Sequence, residues 1–376
     1  MAAPTQAPLD TDGPLLRPLT VGRMTLPHRV LMAPLTRNRA NGDVPSAMAA
    51  EYYGQRASAG LVISEGTQPA RVGQAYPNVP GLHSEAQREG WAEVARRVHD
   101  GGGHLFVQLM HAGRISHPNT LEGAEPVAPS AVRADASVVT WDSPDSAAER
   151  SLTTLPHPTP RALGTEEIAG VVEGFAHAAR LAVEAGADGV EIHAANGYLV
   201  HQFLADGINR RTDGYGGSAE HRARRAVEVA QACADAIGAD RVGIRISPLN
   251  PFNDVVETTD DVYDVLVPAL AGIGLAYLHV VGTTDEDFVA RLRRAWPGVY
   301  LLNTNFAVYS TREDMADLVR DGWADAVTVG RPWIANPDLL DRWRAGAPVN
   351  EPDQATMYGG DEHGYTDYPT LAQERA

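Results

Sequence analysis

The clearest chemical signal in the chain is three residues of one short segment, His193, Asn196 and Tyr198 in "EIHAANGYLVHQFLADGINRRTDGYGGS", which runs from Glu191 to Ser218. An imidazole and a carboxamide this close can both donate hydrogen bonds to one oxygen. A phenol just beyond them keeps its proton at neutral pH. Together they could polarise a carbonyl and protonate the carbon beside it. Each alone has a blander reading. A histidine at a strand end is usually a satisfied polar group, and a tyrosine is more often packing than chemistry. The combination makes the case.

These residues need a scaffold that aims them at one point. Apolar, β-branched runs recur along the chain, and residues 30–34, 61–65, 104–109, 189–193, 242–247, 277–281, 299–303 and 326–330 read as eight strands. Helical segments lie between them, such as 85–100 and 165–185, where Ile168, Val171, Val172 and Phe175 recur at helical spacing. Thr165 is a candidate N-cap, and Gly186 follows as a stop. Thr311 to Asp314 has the form of a capping box. Buried parallel strands alternating with helices imply an α/β fold, a closed (β/α)₈ TIM barrel. A doubly wound sheet would need a glycine-rich turn after the first strand, and "APLTRN" lacks one. The expected organisation is one domain over 1–376, with the barrel at about 29–345. A short N-terminal hairpin, "LTVGRMTLPHRV", should close the barrel bottom. A Pro-, Ser- and Ala-rich insertion after strand three, about 111–164, should cap the pocket.

In such a barrel the active site lies at the C-terminal strand ends. Pro34, Leu35, Thr36, Glu65, Gly66, Gln108, His111, Arg245, Asn303, Thr304, Asn305, Phe306, Gly330 and Arg331 should therefore converge with the first three residues. That set suits a flat, polar-edged heterocycle with a phosphate tail. Gln108 can donate and accept along a pyrimidine edge. Arg245 would stabilise negative charge on a reduced ring. Thr36 offers one hydroxyl. Backbone N–H groups around Asn305, Gly330 and Arg331 would cradle the phosphate at the loops after strands seven and eight. A plainer reading makes Arg245 a barrel-interior ion-pair member and Gly330 a simple turn.

The segment around His193 resembles the Old Yellow Enzyme family of flavin-dependent ene-reductases, and "NRRTDGYGGS" is very specific to it. "APLTRNR" is similar to the first-strand motif of the branch with threonine at the position of Thr36, as against a branch with cysteine there. "HLFVQLMHAGRISH", "GRPWIANPDL" and "GYTDYP" resemble the third-strand, phosphate-end and tail motifs, so the likeness runs from Val30 to about Pro369. It implies noncovalent FMN, NADPH or NADH as reductant, and small-molecule enones, maleimides or nitroalkenes as substrates. It implies that Gln108 and Thr36 contact the flavin, that His193 and Asn196 hold the substrate oxygen, and that Tyr198 is the proton donor. Tyr365 matches the tail tyrosine that lines the substrate pocket, with Tyr368 close by. Met110 stands where many relatives have tryptophan, and Thr304 where they have glycine.

Composition narrows the field. The chain has 376 residues, 44% of them hydrophobic, enough for a sizeable core. Its net charge is −17 without a Lys/Arg cluster, which argues against nucleic-acid partners. The one cysteine, Cys233, excludes an internal disulfide and is too few for an iron–sulfur cluster. That weighs against flavin relatives with further cofactors. No leader-like or bilayer-length apolar run is visible, so a cytoplasmic monomer or homodimer is expected. Two rival functions remain. A metal-dependent barrel hydrolase would draw on His111 and His193 at strand ends but would want about three convergent His or carboxylate ligands, and no HxH pair follows the first strand, so no metal is expected. A noncatalytic flavin-binding protein would have no need of Tyr198.

Overall fold

The computed structural model describes residues 8–145, 149–283, 285–303 and 311–376. Thr304, Asn305 and Phe306 lie outside the described residues. Eight parallel strands close a barrel in chain order: β1 Val30–Met32, β2 Leu61–Ile63, β3 His104–Leu109, β4 Gly189–Ala194, β5 Val242–Ile246, β6 Tyr277–Val281, β7 Val299–Asn303 and β8 Ala326–Val329. A helix follows each strand: α1 Ala47–Gly54, α2 Glu85–Asp100, α3 Thr165–Glu184, α4 Ala219–Ile237, α5 Asp261–Ile273, α6 Glu286–Ala295, α7 Arg312–Arg320 and α8 Leu339–Ala345. β8 pairs with β1, Val327 opposite Val30, which seals the cylinder. The fold is the (β/α)₈ barrel expected of these runs.

The first two strands stop short of their expected ends for local reasons. After β1, Pro34 has no N–H to continue the ladder. After β2, the Glu65 N–H goes to the Tyr53 hydroxyl at 2.9 Å instead of to a strand. The N-cap of α3 is Gly164, not Thr165. The Glu167 carboxylate takes the Gly164 N–H at 2.7 Å, while the Thr165 hydroxyl donates to Asp213. Gly186, at φ +92°, ends that helix in a backbone region that favours glycine. The capping box of α7 is present, Thr311 and Asp314 bonding each other's backbone N–H.

Two additions shape the barrel ends. The hairpin Leu19–Val21/Met24–Leu26 packs Val21, Met24 and Leu26 against Leu31, Leu61, Phe106 and Leu301, and so plugs the bottom. At the top, the insertion after β3 folds into an antiparallel hairpin, Ser137–Trp141 with Leu152–Pro156. Its base is tied down by Val127–Ala128 pairing with Arg161–Ala162. Arg114, 1% exposed, donates to the carbonyls of Val132 and Arg133 in the insertion and of Asn253 and Asp254 beyond β5, joining the two loops.

Candidate active site

A cavity of about 580 Å³ opens at the C-terminal ends of the strands. Pro34, Leu35, Thr36, Gly66, Gln108, Met110, His193, Asn196, Tyr198, Arg245, Gly330 and Arg331 all line it. The described strand-end candidates therefore converge, with two exceptions. His111 is buried outside the cavity, its Nδ1 accepting from the Gly113 N–H at 3.1 Å. Glu65 turns beneath the β1 loop and accepts the N–H groups of Arg37 and Asn38.

The tail tyrosine Tyr365 also stands off the cavity wall. It is fully buried and does not line the cavity. Its ring stacks on Tyr52 with centroids 4.1 Å apart, under the guanidinium groups of Arg37 and Arg39. Carbonyls of the same tail accept from Arg37 and Arg56, so this motif clamps the tail to the barrel. Tyr358, earlier in the tail and 65% exposed, lines the cavity in its place. Tyr368 does not reach the cavity; its hydroxyl accepts from the Asp353 N–H.

Each polar side chain on the wall is oriented by a specific bond. His193 Nδ1 accepts from the Ala195 N–H at 3.2 Å, which leaves the proton on Nε2. Burial, then Arg245 nearby, holds this imidazole well below the usual histidine range, so it is a neutral donor at pH 7. Asn196 sits at φ +54°. Ser247 Oγ accepts its N–H at 2.7 Å and Asn253 donates to its carbonyl at 2.8 Å, which together hold that conformation. The buried Oδ1 of Asn196 has no partner within the protein. Tyr198 sets its ring edge-on to His193, centroids 4.8 Å apart, and its hydroxyl lies 3.0 Å from that of Tyr76. Burial raises its pKa above the ordinary phenol value.

The floor has the opposite polarity at its two ends. Gln108 Nε2 donates to Glu191 at 2.7 Å, leaving its carbonyl oxygen for the cavity. Arg245 is 3% exposed and donates to Asn303 Oδ1 at 3.3 Å. A fixed acceptor, a cation and the Thr36 hydroxyl along one floor match the pyrimidine edge of a flavin, so the residues present fit that group. Among the described residues no group of three His, Cys, Asp or Glu side chains is placed to hold a metal ion, and no helix is long and apolar enough to cross a membrane.

Sequence reasoning missed Tyr76, Asn253, Phe252, Tyr358 and the insertion residues Val138, Val139 and Leu152. All except Asn253 line the cavity. Tyr76, Phe252, Asn253 and Tyr358 come from loops, where no periodic pattern marks which side chain faces inward, and Val138, Val139 and Leu152 from the hairpin of the insertion.

A (β/α)₈ barrel with oxygen donors over such a floor defines a barrel oxidoreductase site. Residues 14–350 match the NADH:flavin oxidoreductase / NADH oxidase family. The chain is 41% identical to a probable flavin mononucleotide-dependent alkene reductase of Leishmania infantum, over 95% of this chain and 97% of that one. Morphinone reductase in complex with tetrahydroNAD superposes with a TM-score of 0.90 at 44% identity, covering 96% of this chain and 99% of that one. An Old Yellow Enzyme homologue from Zymomonas mobilis gives 0.88 at 38%, covering 95% and 99%. The chain belongs to the NADH:flavin oxidoreductase / NADH oxidase family and is an Old Yellow Enzyme-type oxidoreductase.

Proposed function

We propose that this protein is an FMN-dependent ene-reductase that uses NADPH or NADH to saturate the activated C=C bond of enones, maleimides or nitroalkenes. The observation that carries the reading is the convergence of His193, Asn196 and Tyr198 above Gln108 and Arg245 in one cavity. FMN, when bound, supplies the chemistry of taking hydride from the nicotinamide and passing it to the β-carbon.

The chain's own residues do the rest. Gln108, Thr36 and Arg245 would hold the ring system, with Pro34, Leu35 and Gly66 against it. Gly330 and Arg331 would meet the phosphate, together with Asn305, which lies outside the described residues. His193 donates from Nε2 and Asn196 from its amide to the substrate oxygen, drawing electron density from the β-carbon. Tyr198 holds a proton for the α-carbon. Met110, packed against Gly66, and Tyr358 bound the space beside the substrate. One cavity serves both reductant and alkene, so the kinetics should be ping-pong.

The test is to purify the protein, look for FMN released on denaturation, and follow nicotinamide oxidation with and without 2-cyclohexenone. A protein that binds no FMN on reconstitution, or whose nicotinamide oxidation ignores every enone, maleimide and nitroalkene offered, overturns this reading. Flavin binding without alkene turnover would favour the noncatalytic alternative.

A further inference from the structure

Glu191 is a buried acid with no part in the proposed reaction. It lies on β4 directly opposite Gln108 on β3 and is fully buried. Three donors meet its carboxylate: Gln108 Nε2 at 2.7 Å, the Tyr277 hydroxyl at 3.1 Å and His279 Nδ1 at 2.8 Å. Burial pushes the acid up, but the hydrogen bonds from His279 and Gln108 and the nearby Arg245 charge outweigh it, and the net shift is downward. Glu191 is therefore ionised and can only accept. His279, pushed down by burial, is neutral, so its one proton sits on Nδ1 and its Nε2 accepts from the Thr328 hydroxyl at 2.9 Å. The Thr328 carbonyl takes Asn303 Nδ2, and Asn303 Oδ1 takes Arg245. Hydrogen bonds of fixed direction thus link Gln108 to Arg245 through Glu191, His279, the two polar groups of Thr328, and Asn303.

This polarity has a consequence for Gln108. An unrestrained carboxamide can turn over and exchange donor for acceptor, and only its network decides which end faces a ligand. A carboxylate behind it accepts only the NH₂ end. We propose that Glu191 is a positioning residue for the flavin: it locks the Gln108 amide with its carbonyl toward the cavity, as acceptor for the imide N–H of the pyrimidine ring. The inference rests on the FMN reading above. It goes beyond naming Gln108 as a ligand, because it says which atom of Gln108 binds and what fixes the choice. Glu191 is also a buried negative charge directly behind Gln108, so it would disfavour a reduced, electron-rich flavin relative to the oxidised one.

The experiment is a double-mutant cycle read by FMN affinity and midpoint potential, with turnover left aside. Glu191→Gln should weaken FMN binding about tenfold, because the Gln108 amide is no longer held one way round. It should also favour reduced over oxidised FMN by about tenfold, a rise of about 30 mV for a two-electron couple. In a Gln108→Met background the affinity loss from Glu191→Gln should disappear, while the rise in potential persists. Glu191→Asp keeps the charge but withdraws it from Gln108, so it should lose FMN affinity without raising the potential. It carries the test if Glu191→Gln does not fold. An equal affinity loss with and without Gln108, or Glu191→Asp and Glu191→Gln that both bind FMN like the wild type, overturns the proposal. Wild-type protein that binds no FMN overturns the cofactor reading and this inference with it.

Discussion

The hydroxyls of Tyr198 and Tyr76 stand 3.0 Å apart, although 122 positions separate the two residues in the chain. One phenol therefore orients the other. Burial raises both phenols above their ordinary pKa, so Tyr198 keeps its proton through neutral and mildly alkaline pH. Tyr198→Phe keeps the ring and removes the proton. It should slow enone reduction by ~10²–10⁴-fold while flavin reduction by nicotinamide changes little. Tyr76→Phe should show a smaller effect, about tenfold, in the same half-reaction. Stopped-flow measurement of the two half-reactions separates these outcomes. Equal losses in both halves would mean that Tyr198 shapes the site without donating a proton.

His193 and Asn196 are held by separate partners, the Ala195 N–H for one and Ser247 with Asn253 for the other. Removing either donor should cost roughly 2–4 kcal/mol of transition-state stabilisation, as for deletions of oxyanion donors. Because His193 is already neutral, kcat for an enone should show no break near pH 6.5. Phenol ligands, which present an oxygen to the same donors, should bind more weakly to His193→Ala. Unchanged turnover and unchanged phenol affinity would remove these residues from the oxygen site.

Much of this was legible in the chain because barrel strands are buried on both faces and read as short apolar runs. Polar residues at the ends of such runs had to converge, and Gln108, His193 and Arg245 did. What stayed hidden came from loops and from barrel depth. Tyr76 and Phe252 reach the cavity on irregular segments, and no spacing announces them. Tyr365 and Tyr358 share one tail, and only the stacking of Tyr365 on Tyr52 shows which one is turned inward as a clamp. The Glu191–His279 pair left a trace that could have been used. A histidine inside "YLHVV" and a glutamate inside "GVEIH" are polar residues in buried strands, and each needs a partner.

The mouth of the cavity is apolar. Among the described residues seven large hydrophobic side chains are exposed, and four of them, Val139, Leu152, Phe252 and Tyr358, line the cavity from three separate segments: the insertion hairpin, the loop after β5 and the tail. Such a rim, continuous with the oxygen donors inside, suits an alkene with an apolar arm reaching outward. Along a series of alkyl-substituted cyclopentenones, kcat/KM should rise with each methylene, up to about fourfold for the ~0.8 kcal/mol of a buried CH₂. Replacing Val139 and Leu152 together by serine should flatten that slope. A slope that is absent in the wild type, or the same in the double variant, would mean that the rim does not contact substrate.

His111 gives the chain an acid-sensitive point outside the active site. It is 2% exposed, and burial, helped by Arg225, lowers its pKa to about 3. In the unfolded chain the same imidazole should titrate near ~6.5. The unfolded state therefore binds a proton below that pH that the native state refuses, and stability must rise with pH across the interval. The contribution is fully present above ~6.5 and is lost as pH falls toward about 3, at up to ~1.4 kcal/mol per pH unit. His111→Gln removes the titration and can still accept the Gly113 N–H through its carbonyl, in place of the Nδ1 bond of 3.1 Å. Urea unfolding at pH 7 and pH 5 should show a smaller difference for the variant than for the wild type, by about 2 kcal/mol. Some acid sensitivity should remain, because His193 is also buried neutral. If both proteins lose the same stability between the two pH values, His111 is already protonated in the folded state and its burial does not set the acid limit.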